Sequence, residues 1–254
     1  MTEQRQAGKV YLVGAGPGAP DLLTVRAARL IERCDVLFHD ALVHPEVVAL
    51  ARRATIVAVG KRCGRHSTAQ RFINKRLVDA AREHRIVVRL KGGDPMLFGR
   101  AQEEIAALEV AGVAYEVVPG VTAALAASAD LGISLTQRGN ARSVVLVTPR
   151  SGEGHDPSEW VRPLLAADAA AIYMGVGQAD EIAARLIAAG MPASTPVAIV
   201  EDASLPDVRR TFGTLQTLPT IARDAVRGPA LIFVGPQFVA QASRAERGSS
   251  RIAA

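Results

Sequence analysis

Four loops in this chain hold residues whose types and spacing suit small-molecule chemistry. In the first, VYLVGAGPGAPDLLT, Gly14, Gly16 and Ala19 follow a β-branched run and fit a loose Gly-x-Gly-x-x-Gly/Ala dinucleotide fingerprint. Asp35 and Asp40 fall near the distance expected of a ribose-binding acid. Against that reading, Pro17 and Pro20 lack N–H groups, which removes donors where a pyrophosphate needs them. A nicotinamide site and a structural tight turn both stay open for this loop. The second loop is KGGDPMLFGR. Gly92 and Gly93 allow positive φ and close approach of a ligand. Asp94, held extended before Pro95, offers a carboxylate to an amine or hydroxyl, or else closes an Asx-type turn. In the third, VVPGVTAALAAS, Thr122 suits either a helix N-cap or a ligand-facing hydroxyl. The fourth, AAIYMGVGQADEI, ends a strand on Met174. A lone methionine is usually core, but this one falls where open α/β sheets bind ligands.

Other chemistries have no constellation to support them. Cys34 and Cys63 make neither a disulfide framework nor a CxxC pair, and the five histidines (His39, His44, His66, His84, His155) never take metal-ligand spacing. No metal site is expected. The formal charge is +5 and comes almost wholly from arginine, since Lys9, Lys61, Lys75 and Lys91 are the only lysines. Such an excess is either a solvated surface or a field that steers anions. Aromatic residues make up 4%, few for the stacking platforms of single-stranded nucleic-acid binders, so no nucleic-acid partner is expected. No apolar run nears the roughly 18 residues of a membrane span, and Met1–Ala7 lacks the apolar core of a signal peptide. A cytoplasmic location is the expectation.

These loops need a scaffold. β-branched runs alternate with alanine-rich helical stretches, the pattern of α/β folds with mostly parallel strands. Strands are predicted at 9–13, 35–39, 55–59, 86–90, 115–118, 143–148, 170–174, 197–200 and 231–234. Helices are predicted at 22–33, 70–83, 103–111, 179–189 and 215–226, with a further alanine-rich helix after Pro119-Gly120. The aperiodic segment 136–141 reads as an interdomain connection. The expected architecture is two α/β domains, 8–130 and 131–241, with a ligand cleft between them. Residues 1–7 and 242–254 read as disordered tails, and 150–157 as a mobile loop.

Taken in order, the stretches VYLVGAGPGAPDLLT, DVLFHDALV, VAVGKRCGRHS, VVRLKGGDPMLFGR, YEVVPGVTAALAA, GISLTQRGNARSV, AIYMGV and GPALIFVG resemble the tetrapyrrole methylase family. Asp40-Ala41-Leu42-Val43 and Gly60-Lys61-Arg62 point within it to the uroporphyrinogen-III C-methyltransferases. The resemblance runs from about Lys9 to Phe238. It implies a homodimer of two-domain subunits with S-adenosylmethionine in the interdomain cleft and S-adenosylhomocysteine as product. By position, Pro17, Gly92, Gly93, Asp94, Leu97, Thr122, Ala123 and Met174 match the family's cofactor contacts, as do Ala203 and Ala230. Asp40 and Lys61 match the proton acceptor and donor. The implied reaction puts two methyl groups on the acidic tetrapyrrole uroporphyrinogen III, giving precorrin-1 and then precorrin-2 for siroheme or cobalamin synthesis.

Departures from the family pattern fall on the substrate side. Gln137 stands where a histidine is common, Pro149 where a glycine is common, and Ala203 where a glycine often follows the Val-Glu pair. No segment resembling the fused domain of siroheme synthases is recognised, so oxidation and metal insertion are not expected of this chain. For Asp40, a helix N-cap ahead of Ala41-Leu42 is the competing structural role. Lys61, with Arg62 and Arg65, suits a clamp on substrate carboxylates as well as a proton donor. An NAD-linked oxidoreductase, a non-catalytic tetrapyrrole-binding protein and a methylase of RNA or of a modified protein histidine are the alternative functions.

Overall fold

The computed structural model describes residues 8–59, 70–150, 156 and 158–243. Lys61, Arg62 and Arg65 lie outside them, as do residues 1–7, 244–254 and most of the 150–157 loop; Ala242, expected in a disordered tail, is instead buried in a helical turn. The chain divides into two compact units, Met1–Ala123 and Ala124–Ala254.

Five strands make the first sheet: β1 (Lys9–Gly14), β2 (Val36–His39), β3 (Thr55–Ala58), β4 (Ile86–Lys91) and β5 (Ala114–Val118). Their order is β3-β2-β4-β1-β5, and every pairing is parallel. Parallel neighbours need crossovers, here α1 (Val25–Arg33), α2 (Pro45–Val48), α3 (Gln70–Glu83) and α4 (Ala101–Val110). Alternation along β4 decides which helix covers which side chain. Val87 faces α3 and α4 with Ile73, Leu77, Ile105 and Leu108. Val88 and Leu90 face α1 and α2 with Ala27, Ile31 and Val47. Thr24 starts α1 by accepting a hydrogen bond from Ala27 N at 3.1 Å.

The second unit opens with α5 (Ala123–Leu131), whose first residue is the last of the first unit, and so claims the alanine-rich helix that the sequence groups with the first domain. Its strands are β6 (Val144–Val147), β7 (Ala169–Ile172), β8 (Pro196–Glu201), β9 (Arg209–Thr214) and β10 (Ala230–Val234), with helices α6 (Val161–Ala166), α7 (Ala179–Ala188) and α8 (Leu218–Ala225). The order β6-β7-β10-β8-β9 departs from the parallel pattern of the first sheet. Only β6 and β7 pair in parallel, while β10 runs antiparallel to β7 and β8, and β8 to β9. Segment 136–141 is not a connection between units. Gln137 and Ala141 exchange backbone hydrogen bonds at 2.7 and 2.8 Å, closing a turn inside the second unit.

An aspartate locks the start of a strand in each unit. Asp35, ahead of β2, accepts from Arg85 N and Ile86 N at 2.9 and 2.8 Å. Asp168, ahead of β7, accepts from Arg142 N, Ser143 N and Ser143 Oγ at 2.8, 2.9 and 2.8 Å.

Candidate active site

In the first unit the candidate residues stand at the carboxyl ends of parallel strands, where orphaned backbone groups face outward. Three glycines fix the loops to one another. A Cβ on Gly14 would come within 2.6 Å of Gly120 and 2.7 Å of the Gly93 carbonyl, and a Cβ on Gly120 would overlap that carbonyl too. Gly93 takes φ 66°, a conformation that favours glycine, and exchanges hydrogen bonds with Gly16 at 2.8 and 3.2 Å. The loop after β1, which carries Pro17, is thereby tied to the loop after β4. Gly93 serves the turn itself. Gly92 is different: it is exposed and its added Cβ would meet only the Leu42 side chain, at 3.6 Å. That leaves Gly92 as the backbone a ligand can approach.

Asp94 realises the Asx-type turn. Its Oδ1 accepts from Met96 N at 2.8 Å and its Oδ2 from Gly120 N at 2.9 Å, so it clamps the loop after β4 to that after β5. Leu97 N in turn donates to Asp94 O at 3.3 Å. Thr122 and Ala123 lie at the start of α5, with Thr122 Cα and Ala123 N at 3.8 and 3.9 Å from a Cβ built on Gly93. Eight candidate residues, Pro17, Asp40, Gly92, Gly93, Asp94, Leu97, Thr122 and Ala123, therefore share the first unit.

Asp40 follows β2 and is not a helix cap. The first helix after it, α2, starts at Pro45, and its N-cap is His44, whose Nδ1 accepts from Glu46 N at 3.4 Å. The Asp40 carboxylate instead accepts from Arg89 Nη2 at 2.5 Å, and its side chain is 31% exposed. Its partner Lys61 lies outside the described residues.

The second unit carries Met174, Ala203 and Ala230. Met174 is not the end of β7, which stops at Ile172, but sits in the following turn with φ 56° and 43% exposure. Ala203 is buried between Asp202 and Ser204, whose φ values are 52° and 69°. Glu201, buried at the end of β8, accepts from Arg227 N at 2.6 Å and from Gly228 N, and pairs with Arg209 at 2.7 Å. The Ala203 loop is so joined to the turn before Ala230. Burial works against the charge on Glu201, but the Arg209 pair and the two backbone donors outweigh it and hold its carboxyl below the ordinary range. Burial, with Glu201 and Asp207 nearby, pushes the Asp202 carboxyl up.

Strain marks the same places. Among the described residues the non-glycines with positive φ are Phe98, Arg100, Met174, Asp202 and Ser204. Each is a candidate residue or lies within three positions of one, and such conformations cluster at functional sites. Sequence spacing gives no sign of them. No group of three or more metal-ligating side chains occurs among the described residues.

Comparison with known proteins gives these loops a context. The model of the Tetrapyrrole (Corrin/Porphyrin) Methylases matches residues 9–219. The chain belongs to the tetrapyrrole methylases. Siroheme synthase 1 of Klebsiella pneumoniae is 47% identical over 233 residues, which is 91% of this chain and 49% of that protein. Siroheme synthase of Chromobacterium violaceum is 48% identical over 232 residues, again 91% and 49%. The chain thus spans about half the length of these relatives. A solved tetrapyrrole methylase, the uroporphyrin-III C-methyl transferase from Thermus thermophilus complexed with S-adenyl homocysteine, superposes with TM-score 0.80 at 41% identity. It covers 92% of this chain and 99% of that one. Both units of the methylase are α/β, as the sequence led us to expect.

Proposed function

We propose that this tetrapyrrole methylase transfers methyl groups from S-adenosylmethionine to uroporphyrinogen III, twice, giving precorrin-1 and then precorrin-2 for siroheme or cobalamin synthesis. The observation that carries the reading is the near end-to-end likeness to the Thermus enzyme. The local chemistry agrees with it. Pro17 and Pro20 strip the first loop of donors for a pyrophosphate, which disfavours a nicotinamide cofactor. Gly92 leaves its backbone open, and the half-exposed Met174 and the Leu97 side chain offer apolar contact. Pro17, Gly92, Gly93, Asp94, Leu97, Thr122, Ala123, Met174, Ala203 and Ala230 are the proposed cofactor contacts.

S-adenosylmethionine supplies a methyl group already activated on a sulfonium. What remains for the protein is alignment and exclusion of water, and good alignment is worth roughly 7–11 kcal/mol over a bimolecular encounter. The glycine-locked loops provide rigid backbone for that purpose. Asp40 meets the positive charge that arises on the ring and takes up the proton the ring must lose. Lys61 is assigned the donor role that its position in the family implies, with the substrate carboxylates as its other partners. Assembly as a homodimer in the cytoplasm, without a nucleic-acid or membrane partner, completes the proposal. No helix among the described residues is long and apolar enough to cross a membrane.

Anaerobic incubation with uroporphyrinogen III and S-adenosylmethionine, followed by mass analysis, tests the assignment. The expected product carries two added methyl groups, preceded by a monomethyl species. Methylation of later precorrins with none of uroporphyrinogen III would move the chain to another branch of the family.

A further inference from the structure

Four ionisable side chains form one connected group in the first unit. Arg89 and Lys91 stand two residues apart on β4, so both leave the same face of the sheet, and both are buried. Glu104 of α4, also buried, accepts from Arg89 Nε at 3.0 Å and from Lys91 Nζ at 3.1 Å to each oxygen. Gln70 of α3 adds a neutral donor to the same carboxylate at 3.1 Å. The Arg89 fork then reaches outward to Asp40, the member of the group that water touches. With all four ionised, two cations and two carboxylates cancel. Neutralising Asp40 leaves a surplus cation in a site closed to water, and an uncompensated buried charge is strongly disfavoured.

We propose that Arg89 is a positioning residue for methyl transfer. Its buried fork aims the Asp40 carboxylate and makes the ionised form of Asp40 the one that balances the cluster, so that a proton taken from the macrocycle passes on to solvent and is not kept. The proposal rests on the reading of Asp40 as the group that meets the ring's charge. In the reaction a π pair of the ring forms the new C–C bond while the S–C bond breaks with its pair to sulfur. The positive charge moves to the ring, and a ring proton leaves to Asp40 with its bonding pair neutralising the ring. Arg89 engages Oδ1, and Oδ2, which no described residue engages, takes the proton. Release then restores the balanced cluster before the second transfer.

Among the described residues, the charged and titratable groups that face Asp40 are Arg89 of β4, with Lys91 and Glu104 behind it, and His39 of β2, whose Nδ1 lies 3.0 Å from the Asp40 carbonyl. Burial, and then the Arg89 charge, holds the Lys91 pKa below its ordinary value, as expected where two cations share one interior carboxylate.

The test is the pH profile of turnover with uroporphyrinogen III, beside S-adenosylhomocysteine affinity by calorimetry, for wild type, Arg89→Met, Arg89→Lys and Asp40→Asn. Arg89→Met is expected to move the acid limb of kcat to higher pH, because the guanidinium that engages Asp40 Oδ1 is gone, with cofactor affinity changed less than about twofold. Arg89→Lys keeps the charge without the fork. It is expected to shift the limb less while still lowering kcat, and it decides the matter if Arg89→Met does not fold. An unmoved acid limb in a folded Arg89→Met enzyme would overturn the proposal, as would Arg89→Lys behaving as wild type. Full turnover in Asp40→Asn would sink the Asp40 reading and this proposal together. An inactive Asp40→Asn beside an unmoved Arg89→Met limb would sink the proposal alone.

Discussion

Among the described residues each unit buries one glutamate, and the two are satisfied in opposite ways. Glu104 is held by side chains, Arg89, Lys91 and Gln70, and the chain of charges continues to the water-exposed Asp40. Glu201 is held chiefly by backbone, the N–H groups of Arg227 and Gly228, with Arg209 on its outer side. A side-chain network can respond when charge arrives from outside. A backbone clamp fixes where two loops lie. The first unit thus has an interior built to handle charge, and the second has one built to hold shape.

The difference is most exposed by deleting the carboxylates. Glu104→Ala leaves Arg89 and Lys91 buried with no common counter-ion, and about 3–5 kcal/mol of stability should go, read from urea unfolding. A loss no larger than that of Glu201→Ala would erase the contrast between the units.

Glu201→Gln is the milder change. It keeps the shape but weakens a charge-assisted clamp, and about 1–3 kcal/mol is expected. Its pH signature carries the sign. The folded carboxyl sits below its ordinary value of 4.5, so its stabilisation is complete above that pH and is lost as pH falls through the depressed value. Urea midpoints followed into acid should therefore fall less steeply in Glu201→Gln than in the wild type. Equal slopes would mean that the clamp does not depend on charge.

The smallest stability effects separate the neighbouring glycines of the first unit. Gly93→Val must force a branched residue into left-handed backbone, at a cost of about 1–2 kcal/mol. Gly92→Val should shift stability by less than about 0.5 kcal/mol, an ordinary value for an exposed site, yet weaken S-adenosylhomocysteine about tenfold or more. Retained affinity in Gly92→Val, measured by calorimetry, would make that loop structural only.

Much of the molecule was legible from periodicity and punctuation. The helix Gln70–Glu83 was readable to its ends because Ile73, Leu77, Ala80 and Ala81 repeat on one face. β9 escaped notice because RRTFGT carries no apolar alternation and is held by pairing to β8 at a sheet edge. α2 and α6 are too short to show a helical period. The antiparallel half of the second sheet was hidden because strand direction is not a property of local sequence. In the site, the glycine and proline loops announced themselves. Arg89 and Glu104 did not, since their meaning depends on a strand and a helix that meet only in the fold. A charge inside VVRLK, in the middle of a buried parallel strand, was the available clue.

Helix α5 acts as a spacer of fixed length. Near its start Ala124 N donates to the Tyr173 hydroxyl at 3.1 Å, one residue before Met174. Near its end the Asp130 carboxylate accepts from Ser204 N at 2.7 Å, one residue after Ala203. At 1.5 Å per residue the two anchor points are about 9 Å apart, and that rise sets the gauge between two loops proposed to grip one small molecule. Inserting or deleting a single residue within α5 would rotate one anchor by about 100° relative to the other. Within that span the buried Ala124, Ala126 and Ala127 must stay small, and the count of residues must stay the same.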